Sequence, residues 1–290
     1  MRWPELSFDE SQTEGGFFTF IEKAGMVSGI IRAIPENLQQ ETLIDIIVSE
    51  DIKTSEIEGE ILCRDDVMSS VRKNPGISPA GLVKDKCVQG ISSVMVRTGS
   101  TFTRPLSEEM LFEWHSLLMC HRKDINPGEW RTGTDPVQVV SGAEDHITVH
   151  FEAPPSQIVP SEMGRFITWF NESAPGAEGE IEKAPVRAAI AHLRFGSIHP
   201  FEDGNGRISR AISEKALSRA QVELWEDRRF KIVFTGIAVS SFSGSPVVYA
   251  RLLKCRPPPI PARRVSYLIN GIRPKSVFSV FILLTSLVWL

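Results

Sequence analysis

A histidine, an aspartate and two arginines lie within one twelve-residue stretch, HPFEDGNGRISR, at residues 199–210. His199 is the one side chain of this stretch that can take up a proton near neutral pH. Asp203 offers hard carboxylate oxygens, which suit Mg²⁺ already held by phosphates. Arg207 and Arg210 are three residues apart, so on a helix both guanidinium groups lie on one side. These residue types predict a site that handles a phosphorylated substrate.

Two helices are expected to position this stretch. Residues 180–198 carry apolar side chains at helical spacing, and His199-Pro200 ends that helix because proline disfavours helical geometry in the preceding residue. Residues 204–206 all tolerate positive φ, so their backbone N–H groups can converge on an anion. A second helix is predicted from Arg207 to about Ala220, with its positive dipole end at the same place. Each feature alone is an ordinary turn, cap or solvated face; their combination favours a site.

The stretch resembles the signature of the Fic family, H-x-F-x-[D/E]-G-N-G-R-x-x-R, at every defining position. The resemblance implies transfer of a nucleoside monophosphate, usually AMP from ATP, to a hydroxyl of a target protein. His199 would be the general base for that hydroxyl, and Phe201 would anchor the loop in the core. Asp203 would hold the Mg²⁺ that bridges the α- and β-phosphates.

The resemblance also assigns the residues that bind the phosphates. Gly204, Asn205 and Gly206 would form the anion hole. Arg207 and Arg210 would bind the outer phosphates. Such a reaction requires little of the protein beyond positioning, charge neutralisation and a base.

A second motif, TSEIEG, begins at Thr54. Thr54 and Glu58 are four residues apart and share a helix face, while Gly59 can end the helix. The segment from Ser55 to Glu58 also fits a capping box, which is a common local structure. Given the downstream signature, the motif resembles the Fic inhibitory motif [S/T]-x-x-x-E-[G/N]. That resemblance implies that Glu58 pairs with Arg210 and prevents the outer phosphate from binding productively.

The fold is predicted to be mainly α: a Fic-type helical core with one β-hairpin flap, preceded by a small helical N-terminal domain. We divide the chain into an N-terminal helical domain with the inhibitory helix (1–80), a Fic catalytic core (81–225) and an atypical tail (226–290). Within the core, residues 106–122 are amphipathic and Ser107 is the expected N-cap. The residues expected to face inward from the helix after Pro154-Pro155 are Ile158, Met163, Phe166, Ile167 and Phe170.

Two short strands, Val137–Val140 and Ile147–Phe151, are predicted to form the hairpin. By resemblance it corresponds to the Fic flap, which holds a segment of the target protein by strand addition. The expected partner is therefore a target-protein hydroxyl docked at residues 137–151. An ordinary surface hairpin is the alternative, and a homo-oligomer stays open.

Composition limits the other function classes. The chain has 290 residues, 42% hydrophobic and 23% charged, as in ordinary soluble proteins. Its net charge of −4 argues against a general nucleic-acid binder. The four cysteines form no CxxC pair and indicate reduced thiols in the cytosol. The first residues lack a signal-peptide pattern, so a cytoplasmic location is expected.

The tail differs in composition from the rest of the chain. All 36 acidic residues lie at or before Asp227, whereas residues 228–290 carry ten Lys or Arg and no acid. The apolar end from Val277 to Leu290 is 14 residues long, short of the roughly 20 needed to span a bilayer, and membrane contact there is not expected. We interpret the tail as non-native or disordered.

The combined patterns predict an autoinhibited protein adenylyltransferase that uses ATP and Mg²⁺ and modifies Ser, Thr or Tyr hydroxyls. Another nucleotide donor, or removal of AMP from a modified target, stays open. The alternative from a different class is a non-catalytic nucleotide- or partner-binding module. Fic relatives usually continue with helices that carry a tyrosine pair beside the adenine, and no such pair occurs here.

Overall fold

The computed structural model describes residues 10–73, 86–141 and 148–224. Over these ranges the chain forms eight α-helices and one two-stranded antiparallel hairpin, which confirms the predicted mainly α fold. The elements are α1 (Glu10–Ala33), α2 (Glu36–Ile57), α3 (Arg64–Lys73), α4 (Lys86–Ser100), α5 (Glu108–Leu118), β1 (Gln138–Ser141), β2 (Thr148–Glu152), α6 (Val159–Glu172), α7 (Ala184–Ile198) and α8 (Asn205–Leu224).

The main hydrophobic core lies between α7 and α8 and the helices packed around them. α8 contacts α4 and α5 on its other sides, and α6 packs on α7. The largest apolar side chains of this core are almost completely buried: Trp114, Phe166, Phe170, Phe195 and Phe201. Burial of each such side chain contributes roughly 1.5–3 kcal/mol. The two helices that flank residues 199–204 are therefore held rigidly against each other.

A smaller core holds the N-terminal helices together. α2 packs chiefly on α3 and α4, and the buried residues of this cluster are Ile44, Ile47, Val48, Val67 and Val71. Because α4 also packs on α5 and α8, the two cores are connected through it. The end of α2 thereby has a fixed position relative to α8.

Local expectations for α5 and α6 are confirmed in part. α5 ends at Leu118, although the amphipathic pattern was predicted to continue to residue 122. The Ser107 hydroxyl accepts a hydrogen bond from the Met110 N–H at 3.3 Å, so Ser107 is the N-cap of α5. The side chains of Met163, Phe166 and Phe170 are buried as predicted, and Ile167 is half-buried. The prediction for Ile158 is wrong. Ile158 lies in the 3-10 turn Ser156–Ile158 before α6 and is 36% exposed, because α6 begins only at Val159.

The hairpin is present, with each strand one residue later than predicted. β1 pairs with β2 so that Gln138 faces Glu152 and Ser141 faces Thr148. An irregularity between Val139 and Val140 interrupts the ladder, as a β-bulge does. The connection between the strands lies outside the described residues.

The predicted divisions at 80/81 and 225/226, and the whole tail 226–290, also lie outside the described residues, so they stay predictions. Among the helices that the structure describes, none combines the length and apolar character required to cross a membrane.

Two isoleucines allow a direct test of the core. Ile212 is fully buried in α8, whereas Ile158 is 36% exposed. We expect Ile212→Ala to lower the free energy of unfolding by about 2–5 kcal/mol, because it leaves a cavity between packed helices. The matched change Ile158→Ala should lower it by about 1 kcal/mol or less. Urea denaturation followed by circular dichroism measures both, and equal losses would contradict the assigned burial.

Candidate functional site

His199 caps α7 in a left-handed backbone conformation. Its φ and ψ are 51° and 58°, a region that costs a non-glycine residue about 1–2 kcal/mol. The Arg131 guanidinium holds the residue there, because Nε donates to the His199 carbonyl at 2.7 Å. The Arg131 N–H also donates to the Pro200 carbonyl at 2.8 Å. Sequence reasoning missed Arg131, since a lone arginine 68 positions before His199 carries no local signal.

Asn205 closes the turn that follows. Its side-chain amide donates to the Phe201 carbonyl at 2.7 Å and accepts from the Phe201 N–H at 2.9 Å. The Phe201 ring is fully buried and stacks on His115 with centroids 4.0 Å apart. The loop is thus fixed to the core through Phe201, as expected from the resemblance. The role of the Asn205 side chain is to close the turn, which leaves only its backbone N–H for an anion.

Residues 204–206 all tolerate positive φ, but the structure uses that tolerance at only one of them. Among the described residues 204–206, only Gly204 has positive φ, at 77°, and α8 begins already at Asn205. A Cβ on Gly204 would lie 2.5 Å from Met119 Cε, so a side chain there would require the buried Met119 side chain to move. Asn205 and Gly206 instead occupy the first helical turn. The first N–H groups of a helix have no intrahelical partner, so they can still bind an anion.

Arg210 contacts the C-terminal end of α2. Its Nη2 donates to Glu58 Oε1 at 2.6 Å and to the Thr54 carbonyl at 3.1 Å, and its Nε contacts the Thr54 hydroxyl. Both charged side chains are largely buried, at 12% and 14% exposure. The ion pair implied for Glu58 is present in the structure; its inhibitory role stays a prediction. Gly59 has a φ of 76° and follows the end of α2, as the motif suggested.

Arg207 contacts a different carboxylate from the same segment. Its Nη1 donates to Glu60 Oε2 at 2.9 Å, and its buried Nε has no hydrogen-bond partner. Sequence reasoning missed Glu60, although it lies only two residues beyond Glu58. The available signal was the second acid after Glu58-Gly59. A buried guanidinium N–H without a partner can donate to an anion that enters the site.

Asp203 is held by two donors in this structure. Its Oδ1 accepts from the Gly204 N–H at 2.6 Å, and its Oδ2 accepts from Arg122 Nη1 at 2.6 Å. Arg122 in turn binds both carboxylate oxygens of Asp124 at 2.7 Å. Arg122 was also missed by sequence reasoning. The Arg122 guanidinium places a positive charge beside Asp203, where the resemblance to the Fic family implies a metal ion.

The residues around Asp203 fit a nucleotide-borne Mg²⁺. Within the three described ranges, no three His, Cys, Asp or Glu side chains come together as a metal cage. Mg²⁺ bound with nucleotides commonly uses only one or two carboxylates besides phosphates and water. Each Asp203 oxygen has a second lone pair for such a ligand. A metal ion would have to share Oδ2 with Arg122 or displace it.

His199 is in its neutral form at physiological pH. Burial lowers its pKa from 6.5 to about 4, opposed by the Gly196 carbonyl and reinforced by the nearby Arg131 charge. Its Nδ1 lies 3.4 Å from the Gly196 carbonyl oxygen. With Nδ1 as the donor in this contact, Nε2 carries the lone pair. A neutral imidazole with a free lone pair is the form that a general base needs.

The Glu58–Arg210 pair lies in a poorly solvated environment. Burial lowers the pKa of His192 to about 3, and the Arg210 charge acts in the same direction. Burial also raises the pKa of Glu50 to about 8, although Arg210 opposes that shift. In such surroundings, removal of one member of an ion pair leaves an uncompensated charge. Arg210 without Glu58 would therefore attract another anion strongly.

Residues 105–217 match the Fic/DOC family, and they include the whole stretch 199–210. The chain contains a Fic/DOC family domain. Residues 1–77, which include Glu58, match a domain of unknown function, DUF4172. The Fic/DOC match thus covers α5 to most of α8, together with the hairpin.

Named relatives of the Fic domain are nucleotidyltransferases. The chain is 28% identical over 168 residues to a protein adenylyltransferase Fic of Culex quinquefasciatus, covering 57% of this chain and 30% of that protein. It is 30% identical over 122 residues to a uridine 5'-monophosphate transferase of Xanthomonas campestris, covering 40% of this chain and 21% of that protein. The matches therefore span about a third of those relatives or less.

A solved structure has the same fold. The Fic-domain-containing signaling protein from Bacteroides thetaiotaomicron superposes with a TM-score of 0.54 at 17% identity, covering 80% of this chain and 96% of that one. The similarity therefore extends well beyond the part of the chain that matches the Fic/DOC family.

The protonation of His199 can be measured directly. We expect its ring to titrate with a pKa near 4, because burial disfavours the charged form. The unfolded chain binds more protons between about 4 and 6.5, so this residue lowers stability as pH falls through that range. Long-range ¹H–¹⁵N spectra, assigned with His199→Gln, report both the pKa and the tautomer. A midpoint near 6.5, or a lone pair on Nδ1, would contradict the geometry described.

Proposed function

We propose that the chain is an autoinhibited protein adenylyltransferase, which transfers AMP from ATP to a Ser, Thr or Tyr hydroxyl of a target protein. One observation carries this proposal: a neutral histidine, an aspartate and the N-terminal end of α8 with its two arginines converge on a single turn. The adenylyltransferase and uridine monophosphate transferase relatives support nucleotide transfer in general. The acceptor class and the inhibition are our own inference.

Each group of the turn has a role in this reaction. The N–H groups of Asn205 and Gly206 would bind the phosphates of the nucleotide. The N–H of Gly204 would join them once it is released from Asp203 Oδ1. Arg207 and Arg210 would neutralise the outer phosphates. Mg²⁺, held by Asp203 together with the nucleotide, would supply further neutralisation of phosphate charge.

His199 would act on the acceptor. Its Nε2 takes the proton of the target hydroxyl as that oxygen attacks the α-phosphorus of ATP. The bond from the α-phosphorus to the bridging oxygen breaks, and pyrophosphate leaves with the electron pair. The products are a phosphodiester on the target protein, pyrophosphate and a proton. The Arg131 contact to the His199 carbonyl keeps the ring at the turn during this step.

Glu58 would inhibit the reaction by occupying Arg210. Thr54 adds a hydroxyl and a carbonyl contact to the same guanidinium, so most of its hydrogen-bonding capacity is used within the protein. Gly59 lets the chain turn directly after Glu58. An outer phosphate that needs Arg210 has to displace the carboxylate first.

The target would dock at the hairpin, residues 137–151. β1 and β2 are four and five residues long and form a two-stranded sheet in the described part of the chain, so a third strand could pair beside one of them. In this proposal the protein acts in the cytoplasm, with residues 81–225 as the catalytic unit and residues 1–80 as its regulator. Self-association stays compatible with it.

A non-catalytic binding module is the second candidate. The chain has only two tyrosines, Tyr249 and Tyr267, and they do not form the adjacent pair found beside the adenine in Fic relatives. A site with phosphate-binding groups but an incomplete base pocket could bind a nucleotide without transferring it.

Transfer and inhibition can be tested together. We expect Glu58→Gly to label itself or proteins of a cell lysate with ATP radiolabelled at the α-phosphate, at least tenfold more than the wild type, because Arg210 is released. The addition of His199→Ala should abolish that label, since the base is lost. Gel autoradiography measures the incorporated label.

The matched control is Glu56→Gly. Glu56 lies on the same helix but is half-exposed and pairs with Lys53 rather than with an arginine of α8. It should leave labelling at the wild-type level. If Glu58→Gly is as silent as the Glu58→Gly/His199→Ala variant, release of Arg210 alone does not start transfer, and the binding module becomes the better description.

Nucleotide binding is the separate test for the module. In the Glu58→Gly background, calorimetry should detect ATP binding that depends on Mg²⁺ and that Arg207→Ala weakens by at least tenfold, because Arg207 binds an outer phosphate. Together with the labelling of Glu58→Gly, the expected result supports the transferase. Binding without any labelling would support the module, and no binding at all would contradict both.

A further inference from the structure

We propose that Glu60 is a second inhibitory carboxylate, which holds Arg207 in the way that Glu58 holds Arg210. The inference rests on the proposed function, since it assigns Arg207 to an outer phosphate. It adds a residue outside the six-residue motif that begins at Thr54. The regulated unit would then be the two arginines together rather than Arg210 alone.

The contact between Glu60 and Arg207 joins two parts of the chain that are 147 residues apart. Oε2 of Glu60 lies 2.9 Å from Nη1 of Arg207. The Arg207 side chain is 6% exposed, whereas the Glu60 side chain is 31% exposed. The arginine is therefore buried in the site and the glutamate enters from its rim. A carboxylate in this position uses a guanidinium nitrogen that a phosphate would need.

The backbone turn at the end of α2 explains how two carboxylates reach two arginines. Residues two apart on a continuous helix do not face the same way. Here α2 stops at Ile57, and Gly59 takes a left-handed φ of 76°. The Gly59 N–H donates to the Glu56 carbonyl and the Glu60 N–H donates to the Ser55 carbonyl, both at 2.9 Å. This is the hydrogen-bond pattern of a Schellman motif.

The Schellman turn redirects the chain so that Glu60 contacts α8 one turn before the contact of Glu58. Arg207 and Arg210 are themselves three residues apart, about one helical turn. The spacing of the two acids after the glycine turn therefore matches the spacing of the two arginines. We infer that Gly59 serves to place the second acid as well as to end the helix.

The two contacts should be released together. Glu58 and Glu60 lie on either side of one glycine in one hydrogen-bonded turn, and the body of α2 packs on α3 and α4. A movement that withdraws this turn frees both arginines. Removal of Glu58 alone leaves Arg207 held, so Glu58→Gly is only a partial release in this proposal.

The experiment measures binding of ATP with Mg²⁺, and of AMP, by calorimetry in four proteins: wild type, Glu60→Gln, Glu58→Gly and the double variant. We expect Glu60→Gln to tighten ATP binding by about fivefold in the Glu58→Gly background, as expected when one partly exposed ion pair no longer has to break. AMP affinity should stay unchanged, because AMP has no outer phosphate. The Glu58→Gly/Glu60→Gln variant should also label protein more strongly than Glu58→Gly.

Two further variants serve as controls. Glu56→Gln removes a charge from the end of α2. Glu56 pairs with Lys53 and not with an arginine of α8, so the change should leave ATP affinity unchanged. Glu60→Ala removes any hydrogen bond that the glutamine amide keeps, and its effect should equal or exceed that of Glu60→Gln. Thermal unfolding of each variant shows whether the fold is retained.

An unchanged ATP affinity in both Glu60 variants would overturn the inference, and so would an equal gain for ATP and AMP. These results differ from failure of the proposed transferase, which shows as the absence of label in both Glu58→Gly and the Glu58→Gly/Glu60→Gln variant. If Glu60→Gln tightens ATP binding while no variant labels protein, Glu60 limits nucleotide binding in a protein that is a binding module. Absence of ATP binding in all four proteins would overturn the inference as well.

Discussion

The side-chain amide of Asn205 is the constraint on which the site depends. With two hydrogen bonds to the backbone of Phe201, it closes the turn between α7 and α8. The buried ring of Phe201 fixes that turn to the main core. Both backbone groups of Phe201 would lack their hydrogen bonds without Asn205, at a cost of about 1–3 kcal/mol for each buried group. His199, Asp203 and the first turn of α8 therefore have one relative arrangement.

A pairing of opposite charges accounts for the state of the site in this structure. Arg210 pairs with Glu58, Arg207 with Glu60 and Asp203 with Arg122. Each of the three charged side chains that would bind ATP or its metal thus has a protein partner of opposite charge. Such a site is stable without ligand, because buried charges are compensated. It also means that a ligand competes with the protein itself for every charged contact.

The segment that carries Glu58 and Glu60 and the turn at residues 199–204 belong to different hydrophobic cores. α2 is packed on α3 and α4, while α7 and α8 form the main core. Charged side chains at the end of α2 make the contact with the arginines of α8. Contacts of this kind respond to competing anions, whereas close-packed apolar interfaces do not. Because the two cores meet here through charged contacts, the proposed inhibition could be reversed without unfolding either core.

The sequence by itself determined the features that depend on near neighbours along the chain. The helical spacing of apolar residues, the Ser107 N-cap and the glycine after Glu58 are local features. The spacing of His199, Asp203, Arg207 and Arg210 was enough to predict a phosphate site. A short-range error arose at Ile158, because the pattern shows apolar spacing but does not fix the residue at which a helix begins.

Only the tertiary structure decided which partners those residues have. Arg131 lies 68 positions from the residue it holds, Arg122 lies 81 positions from Asp203, and Glu60 lies 147 positions from Arg207. The spacing of residues along the chain does not reveal such pairs. They depend on which helices pack together and on how far one helix is shifted along the other. The lowered pKa of His199 likewise follows from burial, which arises only when the helices assemble.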